Sequence, residues 1–150
     1  MDRFTRIVCP TDFSKTSDHA AEYAAMLAAT FGSELLLLHV IPEIDYPMHS
    51  FGISESLAHI QTELDEKAKE SLAKVADVAK QAHPDLAVQC ILRDGAVHEE
   101  ILACVSEQNA DVVVVGAQGQ GMLSDALLGS IAERVIRTAT CPVLAVPSPR

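Results

Sequence analysis

Short, strongly apolar runs alternate with longer segments of helical periodicity along the whole chain, and this alternation constrains the fold more than any other feature. Five apolar runs predict strands, and the four segments between them predict helices. A strand–helix order repeated in this way is typical of an α/β fold, in which helices cover both faces of a parallel sheet. We therefore predict a single domain over residues 1–150, built on an open, parallel, five-stranded sheet.

The predicted boundaries follow from apolar runs and from the prolines and glycines that punctuate them. A polar, irregular stretch is expected at 43–52, and Gly32 is expected to end the first helix. Apolar spacing predicts that Tyr23 lies on the buried face of the first helix, and Ile60 and Val78 on that of the second. The strands are expected at 7–9, 35–41, 86–92, 111–115 and Val143–Val146, and the helices at 16–31, 54–82, 96–107 and 131–140.

The composition narrows the classes of partner. Hydrophobic residues make up 49% of the chain and aromatic residues only 4%, so the core must be aliphatic and platforms for stacking nucleic-acid bases are scarce. The formal net charge of -10 argues against nucleic acid or an anionic membrane as the main partner. Any phosphate site must therefore rely on local backbone N–H groups.

The cysteines and the N-terminus indicate a reducing, cytoplasmic environment. The four cysteines form no C-x-x-C pair, and a chain of this size needs no disulfide framework, so four reduced and mostly buried thiols are expected. The first residues lack the apolar core of a signal peptide, and the apolar runs are too short to span a bilayer.

A glycine-rich loop follows the fourth strand and carries the strongest chemical signal. The strand runs into Gly116, Gly119 and Gly121, and Gly129-Ser130 marks the start of the next helix. Glycines let a backbone approach phosphate groups closely, and a helix N-terminus offers unpaired N–H groups. In parallel sheets, ligands bind beyond the carboxyl ends of the strands where the winding reverses, which directs attention to the loops after strands one and four.

Two standard phosphate motifs are excluded, but structural alternatives stay open. Walker A requires a lysine before Ser130, and the Rossmann fingerprint requires a glycine where Ser124 stands. Residues 130–133 read as a capping box, so Ser130 alternatively starts a helix and does nothing more. Gly116 alternatively serves a turn, and Asp12 alternatively caps the helix entered through Ser14 or Thr16.

The histidines give little evidence of a metal site. None of the six shows the spacing of a zinc motif. His39 lies in a predicted buried strand and is expected to be a hydrogen-bonded core histidine. His49, near Glu43 and Asp45, is the weaker candidate for a metal ligand.

Several segments together resemble the universal stress protein family, over nearly the whole chain. The spacing Gly116-x2-Gly119-x9-Gly129-Ser130 is similar to the nucleotide-binding signature of that family. Its first strand and loop resemble residues 7–14, and the end of its second strand resembles residues 39–40. Its closing helix resembles residues 130–135, and its last strand resembles residues 140–146. The resemblance implies a Rossmann-like fold of the adenine nucleotide alpha-hydrolase-like type.

The resemblance also implies a ligand and a set of contacts. The ligand would be ATP, ADP or AMP, with Mg2+ or Mn2+ held mainly by the phosphates. Asp12 would contact the adenosine part and Val40 the adenine, while the glycines and Ser130 would meet the ribose and phosphates. The loop residues Ala117, Gln118 and Gln120 are neutral, whereas binding members often carry a basic or imidazole group there. The implied binding residues are Pro10, Thr11, Asp12, Val40, Val115, Gly116, Gly119, Gly129, Ser130 and Ile131.

The expected function is that of a homodimeric, nucleotide-binding regulatory module of a stress response, with an unidentified protein partner. In the resembling family, dimers form through the last strand, here Val143, Leu144, Ala145 and Val146. No G-x-S-x-G elbow or other nucleophile–base arrangement is visible, so an efficient enzyme is not expected. Two alternatives stay open, a slow ATPase using the same pocket and a nucleotide-free dimeric scaffold.

Overall fold

The computed structural model describes residues 4–43, 53–118 and 127–149. Strands and helices alternate in the predicted order. The stretch predicted to be irregular lies outside the described residues except for Glu43. The elements are β1 (Arg6–Pro10), α1 (Lys15–Phe31), β2 (Glu34–Pro42), α2 (Ile53–Ala82), β3 (Val88–Gly95), α3 (Val97–Glu107), β4 (Val112–Gly116), α4 (Ser130–Thr138) and β5 (Val143–Val146).

The five strands form one sheet in the order β3-β2-β1-β4-β5, and every neighbouring pair is parallel. Alternate residues of each strand point to opposite faces, so the sheet has two cores. Ile7 and Leu35 pack under α1 and α2, whereas Val8 and Leu36 pack under α3 and α4. The predicted parallel α/β fold with helices on both faces is confirmed.

Most of the buried residues of α1 are alanines. Ala20, Ala24 and Ala28 of α1 have no solvent exposure, which lets this helix lie close to the strands. The prediction that Tyr23 is buried is wrong, since its side chain is 42% exposed. A helix this close to a sheet buries only a narrow stripe, and a bulky side chain at the margin of that stripe points outward.

The second helix shows the same effect. Its buried residues are small or lie at its centre, among them Ala68, Leu72 and Ala76. The predictions for Ile60 and Val78 are wrong, because both are exposed. None of the helices in the described ranges is both long and apolar enough to cross a membrane.

Some predicted element boundaries, and the expected burial of the cysteines, differ from the structure. Gly32 does end α1, in the left-handed conformation with φ 67°, as predicted. β3 begins at Val88 and not at 86, because Leu86 donates its N–H to the carbonyl of His83 in a turn. All four cysteines are free; Cys9 and Cys104 are buried, but Cys90 is exposed and Cys141 is partly buried, so the expectation of mostly buried thiols holds for only half of them.

Candidate functional site

The winding of the sheet reverses between β1 and β4. These strands are direct neighbours, with Ile7 opposite Val112 and Val8 opposite Val113. The chain moves outward from β1 to β2 and β3 on one side, and from β4 to β5 on the other. The loops that follow Pro10 and Gly116 therefore leave the same edge of the sheet side by side, where a parallel α/β protein binds its ligand.

The loop after β1 holds the Asp12 carboxylate in one orientation. Its Oδ1 accepts hydrogen bonds from the N–H of Ser14 at 2.9 Å and from the hydroxyl of Ser17 at 2.7 Å. Ser14 is the N-cap of α1 and accepts from the N–H of Ser17 at 3.2 Å. Helix capping thus falls to Ser14, while Asp12 braces the loop that leads to it.

His39, on the neighbouring strand β2, is hydrogen-bonded to the loop after β1. Its Nδ1 lies 2.7 Å from the carbonyl oxygen of Thr11, so Nδ1 carries the proton and donates it. The ring of Phe13, which has φ 65°, lies 4.3 Å from the imidazole, centroid to centroid. His39 is therefore hydrogen-bonded, as predicted, but it is only partly buried and does not belong to the core. Val40, the next residue, has a buried side chain, so any contact it makes at the strand end is through its backbone.

Gly116 allows α1 to approach the end of β4. A β-carbon placed there would lie 3.0 Å from Cγ2 of Thr16 and 3.3 Å from the backbone nitrogen of Ser17. The residue belongs to the strand and not to a turn, and its required property is the absence of a side chain. Gly116 therefore has a packing role between β4 and α1.

The N-terminus of α4 is tied to the end of β4. The N–H of Gly129 donates to the carbonyl of Ala117 at 2.6 Å, and Ala117 in turn donates to Val146 of β5 at 2.7 Å. Gly129 is the N-cap of α4, and it is buried. The first N–H groups of a helix have no partner within the helix, so those of Ser130 and Ile131 open at this edge.

The predicted capping box is wrong. Ser130 is the first residue inside α4 and is exposed, whereas the N-cap position belongs to Gly129, one residue earlier. The side chain of Glu133 pairs with Arg137 at 2.8 Å and is not directed to the cap. The hydroxyl of Ser130 is therefore placed at the helix start without serving as its cap. Gly119 lies outside the described residues.

A set of hydrogen bonds among Gln118, Ser148 and Thr16 at this edge was not predicted from the sequence. Oε1 of the buried Gln118 accepts hydrogen bonds from the backbone N–H, at 3.2 Å, and from the hydroxyl of Ser148. The hydroxyls of Ser148 and Thr16 lie 2.8 Å apart. The loop after β4, the end of the chain and α1 are thereby joined. In the sequence, Gln118 drew notice only as a neutral residue at a position where related proteins often carry a basic group. Nothing in its local pattern indicated a hydrogen bond to Ser148.

The comparison with known proteins decides the family. The profile of the Universal stress protein family matches residues 3–147. The chain belongs to this family. Among curated relatives, Universal stress protein MJ0531 of Methanocaldococcus jannaschii is 33% identical, with 98% of this chain and 84% of the relative covered. Universal stress protein YxiE of Bacillus subtilis is 32% identical, with 95% and 99% covered.

Solved structures of the family agree with the fold. The structure of MJ0577 superposes with a TM-score of 0.81 at 29% identity and covers 96% of both chains. Universal stress protein UspA from Lactobacillus plantarum superposes with a TM-score of 0.85 at 20% identity, covering 97% of this chain and 99% of that one. Both superpositions show the same overall fold.

In this universal stress protein, the two sides of the edge differ in charge. Partial burial raises the pKa of Asp18 above its ordinary value, and the negative charges of Asp12 and Glu22 raise it further. The carboxylates of Asp12, Asp18 and Glu22 thus place negative charge beside the start of α1. Both α1 and α4 begin at this edge with the positive end of a helix dipole, but the carboxylates lie on the α1 side. An anionic group is favoured on the α4 side, and a neutral hydroxyl-bearing group on the Asp12 side.

Two other features bear on where a ligand can bind. A cavity of about 350 Å³ lies between α1 and α2, and its lining includes Ala21, Ala25, Val75 and Ala79. Asp18 and Glu22 of α1 also line this cavity, but no residue of the loops after β1 and β4 does. Within residues 4–43, 53–118 and 127–149, no cluster of three or more His, Cys, Asp or Glu could hold a metal ion, and His49 falls outside those ranges.

Proposed function

We propose that this chain binds an adenine nucleotide at the carboxyl edge of the sheet, between the loop after β1 and the start of α4. The hydrogen bond from Gly129 to Ala117 carries the proposal, because it brings the first turn of α4 to the point where the winding reverses. A helix N-terminus at that point is suited to a phosphate chain. The polarity of the edge supports one orientation of the ligand, with ribose near Asp12 and phosphates near Ser130.

Each proposed contact follows from that orientation. The carboxylate of Asp12 accepts hydrogen bonds from ribose hydroxyls, and its bonds to Ser14 and Ser17 hold it ready to do so. The backbone of Val40 meets the adenine. A divalent ion, Mg2+ or Mn2+, is held mainly by phosphate oxygens. The residues proposed to contact the nucleotide are Pro10, Thr11, Asp12, Val40, Val115, Gly116, Gly119, Gly129, Ser130 and Ile131.

Two proteins of the same fold have been solved in complex with adenine nucleotides. One is a universal stress protein in complex with cAMP, 23% identical to this chain, and one is from Archaeoglobus fulgidus in complex with dAMP, 19% identical. At such identities the likeness is one of fold. The proposal for this chain therefore depends on its own residues.

Calorimetry with ATP, ADP, AMP and GTP tests nucleotide binding. Adenine nucleotides should bind better than GTP, and Asp12→Asn should weaken all of them, since it keeps an oxygen acceptor for Ser14 but loses the charge. Equal or absent binding of all four nucleotides at millimolar ligand would overturn the proposal. Mass spectrometry of nucleotide released from denatured, freshly purified protein identifies the natural ligand.

We further propose that the protein acts as a homodimer joined through β5, as a cytoplasmic module that signals nucleotide occupancy to a regulatory protein during stress. β5 is an edge strand whose one partner in the described sheet is β4. Leu144 is exposed on it, and an exposed apolar edge favours pairing with a second copy. Because Ala117 is hydrogen-bonded to Val146 of the same strand, the nucleotide loop and the proposed interface are adjacent.

A further inference from the structure

The arginines of the described residues are not equivalent. Three of the four pair with carboxylates, which is the expected outcome in a chain of net charge -10. Arg134 makes no ion pair with any described residue, and its Nη1 lies 3.2 Å from Nδ1 of His98 instead. The three pairs are Arg6 with Glu34 at 3.5 Å, Arg93 with Glu100 at 3.8 Å and with Glu107, and Arg137 with Glu133 at 2.8 Å.

Among the residues that the structure describes, the contact with His98 is not an ion pair and leaves the positive charge of Arg134 without a paired carboxylate. A guanidinium has only donors, so Nδ1 of His98 is the acceptor in this hydrogen bond. The partner orients the guanidinium but does not neutralise it. Glu133 and Glu100, the nearby carboxylates, are already engaged with Arg137 and Arg93. Glu99, which follows His98, is exposed to solvent.

The position of Arg134 directs this charge to the proposed phosphate site. Arg134 is four residues after Ser130 and therefore lies on the same face of α4. Side chains of a helix lean toward its N-terminus, so Arg134 extends over the turn that Ser130 begins. His98 lies in the first turn of α3, which also starts at the carboxyl edge of the sheet. Arg134 is therefore about one turn from the start of α4, where its side chain is exposed to solvent.

We propose that Arg134, oriented by His98, binds the terminal phosphates of the nucleotide and makes the site prefer a triphosphate over a monophosphate. This inference rests on the proposed nucleotide site. A single phosphate can be satisfied by the backbone N–H groups of α4, but each further phosphate adds charge to an acidic protein whose described loop residues, Ala117 and Gln118, are neutral. A guanidinium, with its positive charge and its planar set of donors, is suited to binding those additional phosphates.

Paired titrations with ATP and AMP test the role of Arg134. At fixed ionic strength and Mg2+, Arg134→Gln should lower ATP affinity by about tenfold to a hundredfold, the effect of one hydrogen bond to a charged group, and change AMP affinity by less than about twofold. Arg137→Gln is the matched control, since it removes the same charge one turn further on from a residue already paired with Glu133. It should leave the ratio of the two affinities unchanged.

The outcomes separate this inference from the proposed function. If the wild type binds AMP and ATP but Arg134→Gln keeps the wild-type ratio, the inference is wrong and the nucleotide site stands. An equal loss in Arg134→Gln and Arg137→Gln would also overturn it, because the effect would then be that of net charge. If the wild type binds neither nucleotide, both proposals fail. Inorganic triphosphate should compete with ATP in the wild type and compete less well in Arg134→Gln.

Variants of His98 test whether it positions Arg134. His98→Leu removes the acceptor and should reduce the preference for ATP, whereas His98→Asn keeps an acceptor near the place of Nδ1 and should restore most of it. Added to Arg134→Gln, the leucine change should have no further effect, because the two residues act as one unit. An unchanged ATP preference in His98→Leu would show that Arg134 needs no such support. Thermal melts of the apo variants check that each of them folds.

Discussion

Gly116, at the end of β4, lies so close to Thr16 of α1 that a β-carbon on the glycine would stand 3.0 Å from Cγ2 of the threonine. Gly116→Ala should therefore push α1 away from the sheet and lower the unfolding free energy by about 1–3 kcal/mol, as overpacking of a close contact does. Chemical denaturation of the apo protein measures this loss.

Gly32 supplies the control for that experiment. A β-carbon there meets nothing within 4 Å, and its φ of 67° is one that asparagine tolerates. Gly32→Asn should therefore cost less than Gly116→Ala. Equal stability of Gly116→Ala and wild type would show that the contact with Thr16 relaxes without cost.

Ser14 and Ser130 both stand at the start of a helix, but only Ser14 is an N-cap with a side-chain bond. Ser14→Ala should lower apo stability by about 1 kcal/mol. Ser130→Ala should leave apo stability within about 0.5 kcal/mol of wild type, as expected of an exposed site, and should lower nucleotide affinity. Denaturation and calorimetry measure the two effects separately. A Ser130→Ala protein that loses stability but binds nucleotide normally would contradict this assignment.

Asp18 and Glu107 should affect stability with opposite dependence on pH. Burial, with the charges of Asp12 and Glu22, raises the pKa of Asp18, so its ionised form is disfavoured in the folded state. Asp18→Asn should therefore stabilise the protein at neutral pH, and the gain should disappear as the pH falls below the ordinary value of 3.8.

The Glu107 variant provides the comparison. The hydrogen bond from Arg93, with its charge, lowers the pKa of Glu107, so its ionised form is favoured in the folded state. Glu107→Gln should destabilise the protein at neutral pH, and the loss should shrink as the pH falls through and below 4.5, the ordinary value. Urea denaturation across pH 3–8 tests both variants. Parallel pH profiles for the two would contradict the assignment.

Leu144 tests the proposed dimer. Leu144→Lys places a charge on the exposed face of β5 and should weaken association, because the ammonium group would be desolvated in an apolar interface. Val78→Lys is the control, since Val78 is also exposed but lies on α2. Sedimentation should show a weakened dimer for the first variant and an unchanged one for the second. A wild type that stays monomeric at high concentration would contradict the proposal.

The order of elements could be predicted from the sequence because each prediction depends on neighbours within a few residues. Apolar runs and helical spacing located all five strands and all four helices, and Gly32 ended α1 as expected. Predictions that depend on how closely elements pack were less successful. Tyr23 is exposed because alanines bring α1 so near the sheet that no wider stripe is buried.

The candidate site shows the same division. The family could be predicted from several segments taken together, among them residues 7–14 and 130–135, since these features are local and appear in the chain as written. Only the tertiary structure decided that Gly116 serves the approach of Thr16, that Gly129 caps α4, that Gln118 is bound to Ser148 and that Arg134 faces His98. Apart from the cap, each of these is a contact between residues far apart in the sequence. The separation is 30 positions for Gln118 and Ser148 and 36 for Arg134 and His98. Local spacing carries no information on such pairs, because the distance between them is set by how the helices pack on the sheet.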